Sequence, residues 1–73
     1  GSQMVGMGAE FYNNFKIVKE IFSEADDKLN FSISKIILDG PEDELQLTKN
    51  TQPAILTVSY SIFEVLKSLN DLV

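Results

Sequence analysis

The chain has 73 residues, 44% apolar and 23% charged, a globular composition that suits one small domain or a piece of a larger one. Six Lys against eleven Asp and Glu leave a net charge of −5 with no Arg, which argues against a nucleic-acid partner because phosphate neutralisation needs clustered cations. The absence of Cys excludes a disulfide framework and a thiolate zinc site, and the absence of His removes every Ser-His relay and imidazole metal ligand. No metal site and no cofactor is therefore expected.

Gly1 to Gly8 is small and glycine-rich and reads as a loop leading into a short helical turn from Gly8 to Asn13. A clear helix follows, in which Phe15, Val18, Phe22, Ala25 and Leu29 recur at spacings of three and four, with Ile17 and Ile21 widening the stripe. Asn14 can cap its start and Asn30 suits a left-handed exit. Phe31 to Leu38 fits either a strand, by the alternation of Phe31, Ile33, Lys35 and Ile37, or a helix capped by Ser32 with Ile33, Ile36 and Ile37 on one face.

Gly40-Pro41 stops that element. Pro41 suits the first position of a new short helix ending near Leu47, with Glu42, Asp43 and Glu44 placed where the positive end of the helix dipole favours acids. The last helix is the longest: Asn50 or Thr51 caps it, Pro53 lies in its first turn, and Ile55, Val58, Ile62, Val65 and Leu69 form its stripe. Ala54, Phe63 and Leu66 broaden that stripe beyond what a solvent-backed helix needs, which predicts packing on more than one side. No run approaches the ~18 consecutive apolar residues of a membrane span, and no basic segment leads an apolar stretch at the start. A cytoplasmic protein without a membrane partner is the expectation, and the glycosylation triplet Asn30-Phe31-Ser32 is read as chance.

Candidate chemistry is sparse. Gly6-Met7-Gly8 lacks the fingerprint of a phosphate loop. The carboxylates of Glu42, Asp43 and Glu44 point different ways around a helix and match no calcium loop, so they read as a solvated first turn. The chain has the size and acidity of an acyl carrier protein, but none of its seven Ser follows Asp, as the attachment site of such a carrier requires.

Asn50-Thr51-Gln52-Pro53-Ala54-Ile55-Leu56, preceded by Gly40-Pro41-Glu42-Asp43-Glu44-Leu45, resembles bacterial malonyl-CoA:acyl carrier protein transacylase. Gly1-Ser2-Gln3-Met4-Val5-Gly6-Met7-Gly8 is similar to the end of that family's Gly-Gln-Gly-Ser-Gln loop and the helix after it. Glu24-Ala25-Asp26 and Leu29 match the second helix in the same order, so the similarity covers essentially the whole chain. The resemblance implies an α/β-hydrolase-like large subdomain with a ferredoxin-like insertion. It also implies a Ser on a Gly-His-Ser-x-Gly elbow that carries malonyl as an ester, a His base, and an Arg that pairs with the malonyl carboxylate. Malonyl-CoA and acyl carrier protein are the implied partners in type II fatty-acid synthesis.

On this reading residues 1–73 are the helical N-terminal segment between the first strand and the nucleophile strand, with the elbow expected beyond Val73. The expected fold is all-α, four to five short-to-medium helices, without the sheet of the parent domain, and Phe31–Leu38 becomes a short helix. No catalytic residue lies in these 73 residues, and no transfer activity is expected from them alone. Gln52 resembles a Gln close to the family's acyl pocket, where its amide could orient substrate; Thr51 and Gln52 also suit capping of the long helix. Gln3 belongs to the loop by resemblance and is expected to fray at a terminus. Tyr60 and Phe63 read as core or former interface, and the chain is expected to self-associate through the Ala54–Leu69 helix. The competing reading is a stand-alone acidic helical protein-interaction module without catalysis.

Overall fold

Helical periodicity governs the fold of the described residues. A computed structural model describes residues 3–71 and contains α1 (Gln3–Asn14), α2 (Lys16–Leu29), α3 (Ile33–Asp39), α4 (Glu42–Gln46) and α5 (Thr48–Asp71). No strand occurs among the described residues. α5 has 24 residues, about 36 Å of helix, and sets the long dimension of a body measuring 40 × 26 × 17 Å.

α2 forms as its pattern requires. Val18 and Phe22 are buried, Phe15, Ile17, Ala25 and Leu29 pack against the core, and Asn30 closes the helix at φ 62° with its N–H on the Asp26 carbonyl. The core joins these residues to Ile33 and Ile37 of α3, Leu45 of α4, and Ala54, Val58 and Val65 of α5. Tyr12 of α1 tilts onto Phe22 with ring centroids 5.4 Å apart, and the Lys19 ammonium sits 5.6 Å from the Tyr12 ring.

Two expectations about the start of the chain are corrected. The segment expected as a loop is helical from Gln3, because α1 has a surface to lie on: it packs along α3 and α2. Gly6 and Gly8 therefore sit inside a helix. Asn14 does not cap α2; its side-chain amide turns back and donates to the Glu10 carbonyl at 2.7 Å, closing α1. Phe15 takes the cap position of α2 in an extended conformation with no side-chain bond. The expected loop reading of Gly1 and Ser2, and the fraying of the Gln3 side chain, lie outside what is described.

The ambiguous stretch is helix. Ser32 occupies its cap position without a capping bond; the cap comes from α2, where Asp26 accepts from the Ser34 N–H at 2.9 Å and from the Ser34 hydroxyl at 2.5 Å. A carboxylate at a helix N-terminus complements the local dipole as well as the free N–H groups. Gly40 then ends α3 at φ 72°, a conformation that disfavours a side chain, and Glu42, Asp43 and Glu44 occupy the first turn of α4 as expected.

α5 begins at Thr48, earlier than expected. The Leu47 carbonyl accepts from both the Asn50 and Thr51 N–H at 2.8 Å, so Asn50 and Thr51 lie inside the first turn. Their side chains donate backward: Asn50 Nδ2 to the Glu44 carbonyl and Thr51 Oγ1 to the Leu45 carbonyl, both at 2.8 Å. These bonds tie the end of α4 to the start of α5. Pro53 is the sixth residue of α5, where its missing N–H leaves the Lys49 carbonyl without the usual helical donor.

Two glycines of α1 should respond oppositely to Ala. A Cβ at Gly8 would lie 2.6 Å from Cγ2 of the buried, β-branched Ile37, whereas a Cβ at Gly6 meets nothing within 4 Å. Gly8→Ala is expected to destabilise by about 1–2 kcal/mol through overpacking, and Gly6→Ala to stabilise by about 0.5–1 kcal/mol through helix propensity. Urea unfolding of both variants checks this; equal signs would contradict the close approach of α1 and α3. Asp26→Ala should cost about 1–2 kcal/mol in the same assay, a loss far above that of an ordinary exposed carboxylate.

Candidate functional site

α5 has two faces of different chemistry. The inward face is built from Asn50, Ala54, Thr57, Val58, Ser61 and Val65, all buried. Its hydroxyls are satisfied within the helix, Thr57 Oγ1 on the Pro53 carbonyl at 2.7 Å and Ser61 Oγ on the Thr57 carbonyl at 2.8 Å. These small side chains let α2, α3 and α4 approach. The large ones point the other way: Leu56, Phe63 and Leu66 are 60–70% exposed, and Ile55, Tyr60 and Leu69 are also exposed.

The expected stripe is thus right for Ala54, Val58, Ile62 and Val65, which are buried or packed on the core, and wrong for Ile55 and Leu69. Ile55 and Leu69 fit the three-four spacing, but the neighbouring helices are short and cover only the side carrying Ala54 and Val58. Tyr60 and Phe63 are not core; both are on the outside. The broad apolar surface inferred from sequence is real, and one side of it is open.

Gln52 lies on that open side, with Leu56, Ser59 and Phe63 following at spacings that keep to one face. Its side chain is exposed and makes no hydrogen bond to another described residue. It does not cap α5, so the capping expectation is corrected for Gln52 and replaced for Thr51 by the backward bonds described above. Beside this face, α2 and α5 enclose a groove of about 350 Å³ lined by Ile21, Ala25 and Leu29 on one wall and Pro53, Leu56 and Tyr60 on the other. The Lys28–Glu24 ion pair, 3.1 Å long and well exposed, lies at its rim.

The groove and the face are largely apolar, with the Gln52 amide on the face and the Lys28–Glu24 pair at the groove's rim. No set of three His, Cys, Asp or Glu residues able to hold a metal occurs among the described residues, and no helix there is long and apolar enough to cross a membrane. Ser34 has its hydroxyl on Asp26 and Ser61 has its own on a backbone carbonyl; both serve helix structure. Sequence reasoning overlooked the role of Asp26, whose spacing of eight residues from Ser34 carries no local capping signature.

The identity of relatives bears on what this surface is for. A transacylase from Bacillus subtilis is 48% identical over 65 residues, which cover 89% of this chain and 16% of that protein. The protein of the same name from Bacillus subtilis strain 168 is 45% identical over 67 residues, covering 92% and 21%. One from Salmonella typhimurium is 45% identical over 65 residues, covering 89% and 21%. All three are named malonyl CoA-acyl carrier protein transacylase.

This chain matches a segment of those transacylases. It spans about a fifth of the length of the transacylases it resembles. No family profile matches the chain, and no solved structure matches it.

The hydrogen-bond pattern separates the two neighbours in the Asn-Thr-Gln-Pro motif. Thr51→Val should cost about 1 kcal/mol, because it strips a donor from the Leu45 carbonyl, while Gln52→Ala should leave stability within about 0.5 kcal/mol. Thermal unfolding of the two variants is the check, and a large loss at Gln52 would contradict its exposed placement.

Proposed function

We propose that this chain is the helical segment of a cytoplasmic malonyl-CoA:acyl carrier protein transacylase, an [acyl-carrier-protein] S-malonyltransferase of type II fatty-acid synthesis. The observation that carries this is identity of 45–48% over about nine tenths of the chain with proteins of that name, a length that reaches from α1 into α5. In the proposed parent, the segment lies between the first strand and the nucleophile strand of an α/β-hydrolase-like subdomain. The outward face of α5 supports this: a helix with Leu56, Phe63 and Leu66 uncovered has the surface expected of one packed on a sheet.

The parent reaction moves malonyl from the coenzyme A thioester to a Ser hydroxyl, which loses its proton to a base, and then to the thiol of acyl carrier protein. Both steps need a group that activates a weak nucleophile and a cation that neutralises the malonyl carboxylate. These 73 residues contain neither His nor Arg, so their role is scaffolding plus one polar contact. That contact is Gln52, whose unbonded amide on the outward face is free to orient substrate or a neighbouring loop.

A second reading, an acidic helical interaction module without catalysis, draws on the same open face and predicts binding without turnover.

The purified 73-residue chain is expected to transfer no malonyl from malonyl-CoA above a heat-killed control. Exchanging it for the matching 67 residues of the Bacillus subtilis strain 168 transacylase should keep transfer within about tenfold of that enzyme. Gln52→Ala in the exchanged protein should lower kcat/KM by about tenfold, the loss of one hydrogen bond. A folded, inactive exchange protein would overturn the proposal.

A further inference from the structure

On the reading of Gln52 as the polar contact of the parent transacylase, and resting on it, we infer that Asn50 and Thr51 are positioning residues. They hold the Gln52 amide in place through the bonds they make to the end of α4.

The turn of α5 that carries Gln52 has little of its own to fix it. Pro53 has no N–H, so the Lys49 carbonyl lacks the bond that would join this turn to the next. A residue that precedes proline prefers extended backbone, yet Gln52 is helical. Its side chain is exposed and bonds to no other described residue, so it adds no restraint of its own. The restraint comes from the two residues before it.

Thr51 Oγ1 lies 2.8 Å from the Leu45 carbonyl oxygen and 3.0 Å from that of Leu47, and Asn50 Nδ2 donates to the Glu44 carbonyl at 2.8 Å. Carbonyls at the end of a helix lack intrahelical donors, so α4 offers fixed acceptors there. The Leu45 side chain is buried in the core, and Asn50 is itself buried. A short path therefore runs from the core through the Leu45 carbonyl and the Thr51 hydroxyl to the backbone of Gln52. An amide that must meet a reacting group works only when held to a fraction of an ångström, and a misplacement of about 1 Å can cost as much as ~100-fold in rate. Cutting one of the two ties leaves the other, so a smaller loss is expected from either alone.

Malonyl transfer by the exchanged Bacillus subtilis strain 168 enzyme tests this as a double-mutant cycle. Thr51→Val should lower kcat/KM about fivefold on its own and by less than about twofold when Gln52 is already Ala, because no amide is left to place. Thr51→Ser keeps the hydroxyl and should restore transfer to within about twofold of the exchanged enzyme. Asn50→Ala cuts the other tie and should show the same dependence on Gln52; it serves where Thr51→Val does not fold. Asp26→Ala is the control: it removes a tie between α2 and α3 that involves neither α4 nor α5, and should leave kcat/KM within about twofold. Equal losses from Thr51→Val with and without the Gln52 amide, or a loss as large from Asp26→Ala, would mark a purely structural role and overturn the inference. Unchanged kcat/KM in both Thr51→Val and Asn50→Ala would overturn it while leaving Gln52 its role. A Gln52→Ala enzyme as active as the exchanged protein would overturn the reading of Gln52 itself and this inference with it, so the two failures are distinguishable.

Discussion

Burial of the Ala54–Val58–Val65 side of α5 is the contact on which the whole arrangement depends, since α2, α3 and α4 all meet there. That side is made of small and hydroxyl-bearing residues, which allows close approach but supplies modest apolar area. The residues with most to gain from leaving water, Leu56, Phe63 and Leu66, face outward. Fully burying such a side chain contributes about 1.5–3 kcal/mol, so the outward face is a large unrealised share of the stabilisation available to this sequence. A short chain with such a surface is built to lie against something.

The rest of the architecture is held by side chains that reach across helix ends. Asp26 of α2 caps α3, Asn14 closes α1, and Asn50 and Thr51 of α5 hold the carbonyls of α4. No buried side-chain polar atom among the described residues lacks a partner. Burying Asn50, Thr57 and Ser61 is tolerable for that reason, because each spends its donor on a carbonyl that would otherwise be crowded out of water.

The five-helix, all-α fold was largely legible. The α2 stripe and the Asn30 exit follow from local spacing and from the tolerance of Asn for left-handed backbone. What was not legible depends on neighbours distant in sequence. α1 is helical at its glycines because Gly8 lets it close on Ile37, and Asp26 is a cap only because α2 and α3 fold back on each other. The start of α5 was misplaced because Asn50 and Thr51 look like caps locally, while α4 captures their side chains. Periodicity announced two apolar sides on α5 but could not say which would be covered. The exposure of Gln52 is equally a product of that choice.

The one candidate site residue, Gln52, the α2–α5 groove and the largest exposed side chains adjoin along α5. Amide chemical shifts of this segment alone, compared with those of the same segment inside the exchanged Bacillus subtilis transacylase, test most directly whether that surface is covered in the parent. Shifts should differ at Leu56, Ser59, Phe63 and Leu66 while Ala54, Val58 and Val65 stay constant. Shifts that agree along the outward face, or differences centred on the inward residues, would contradict the account.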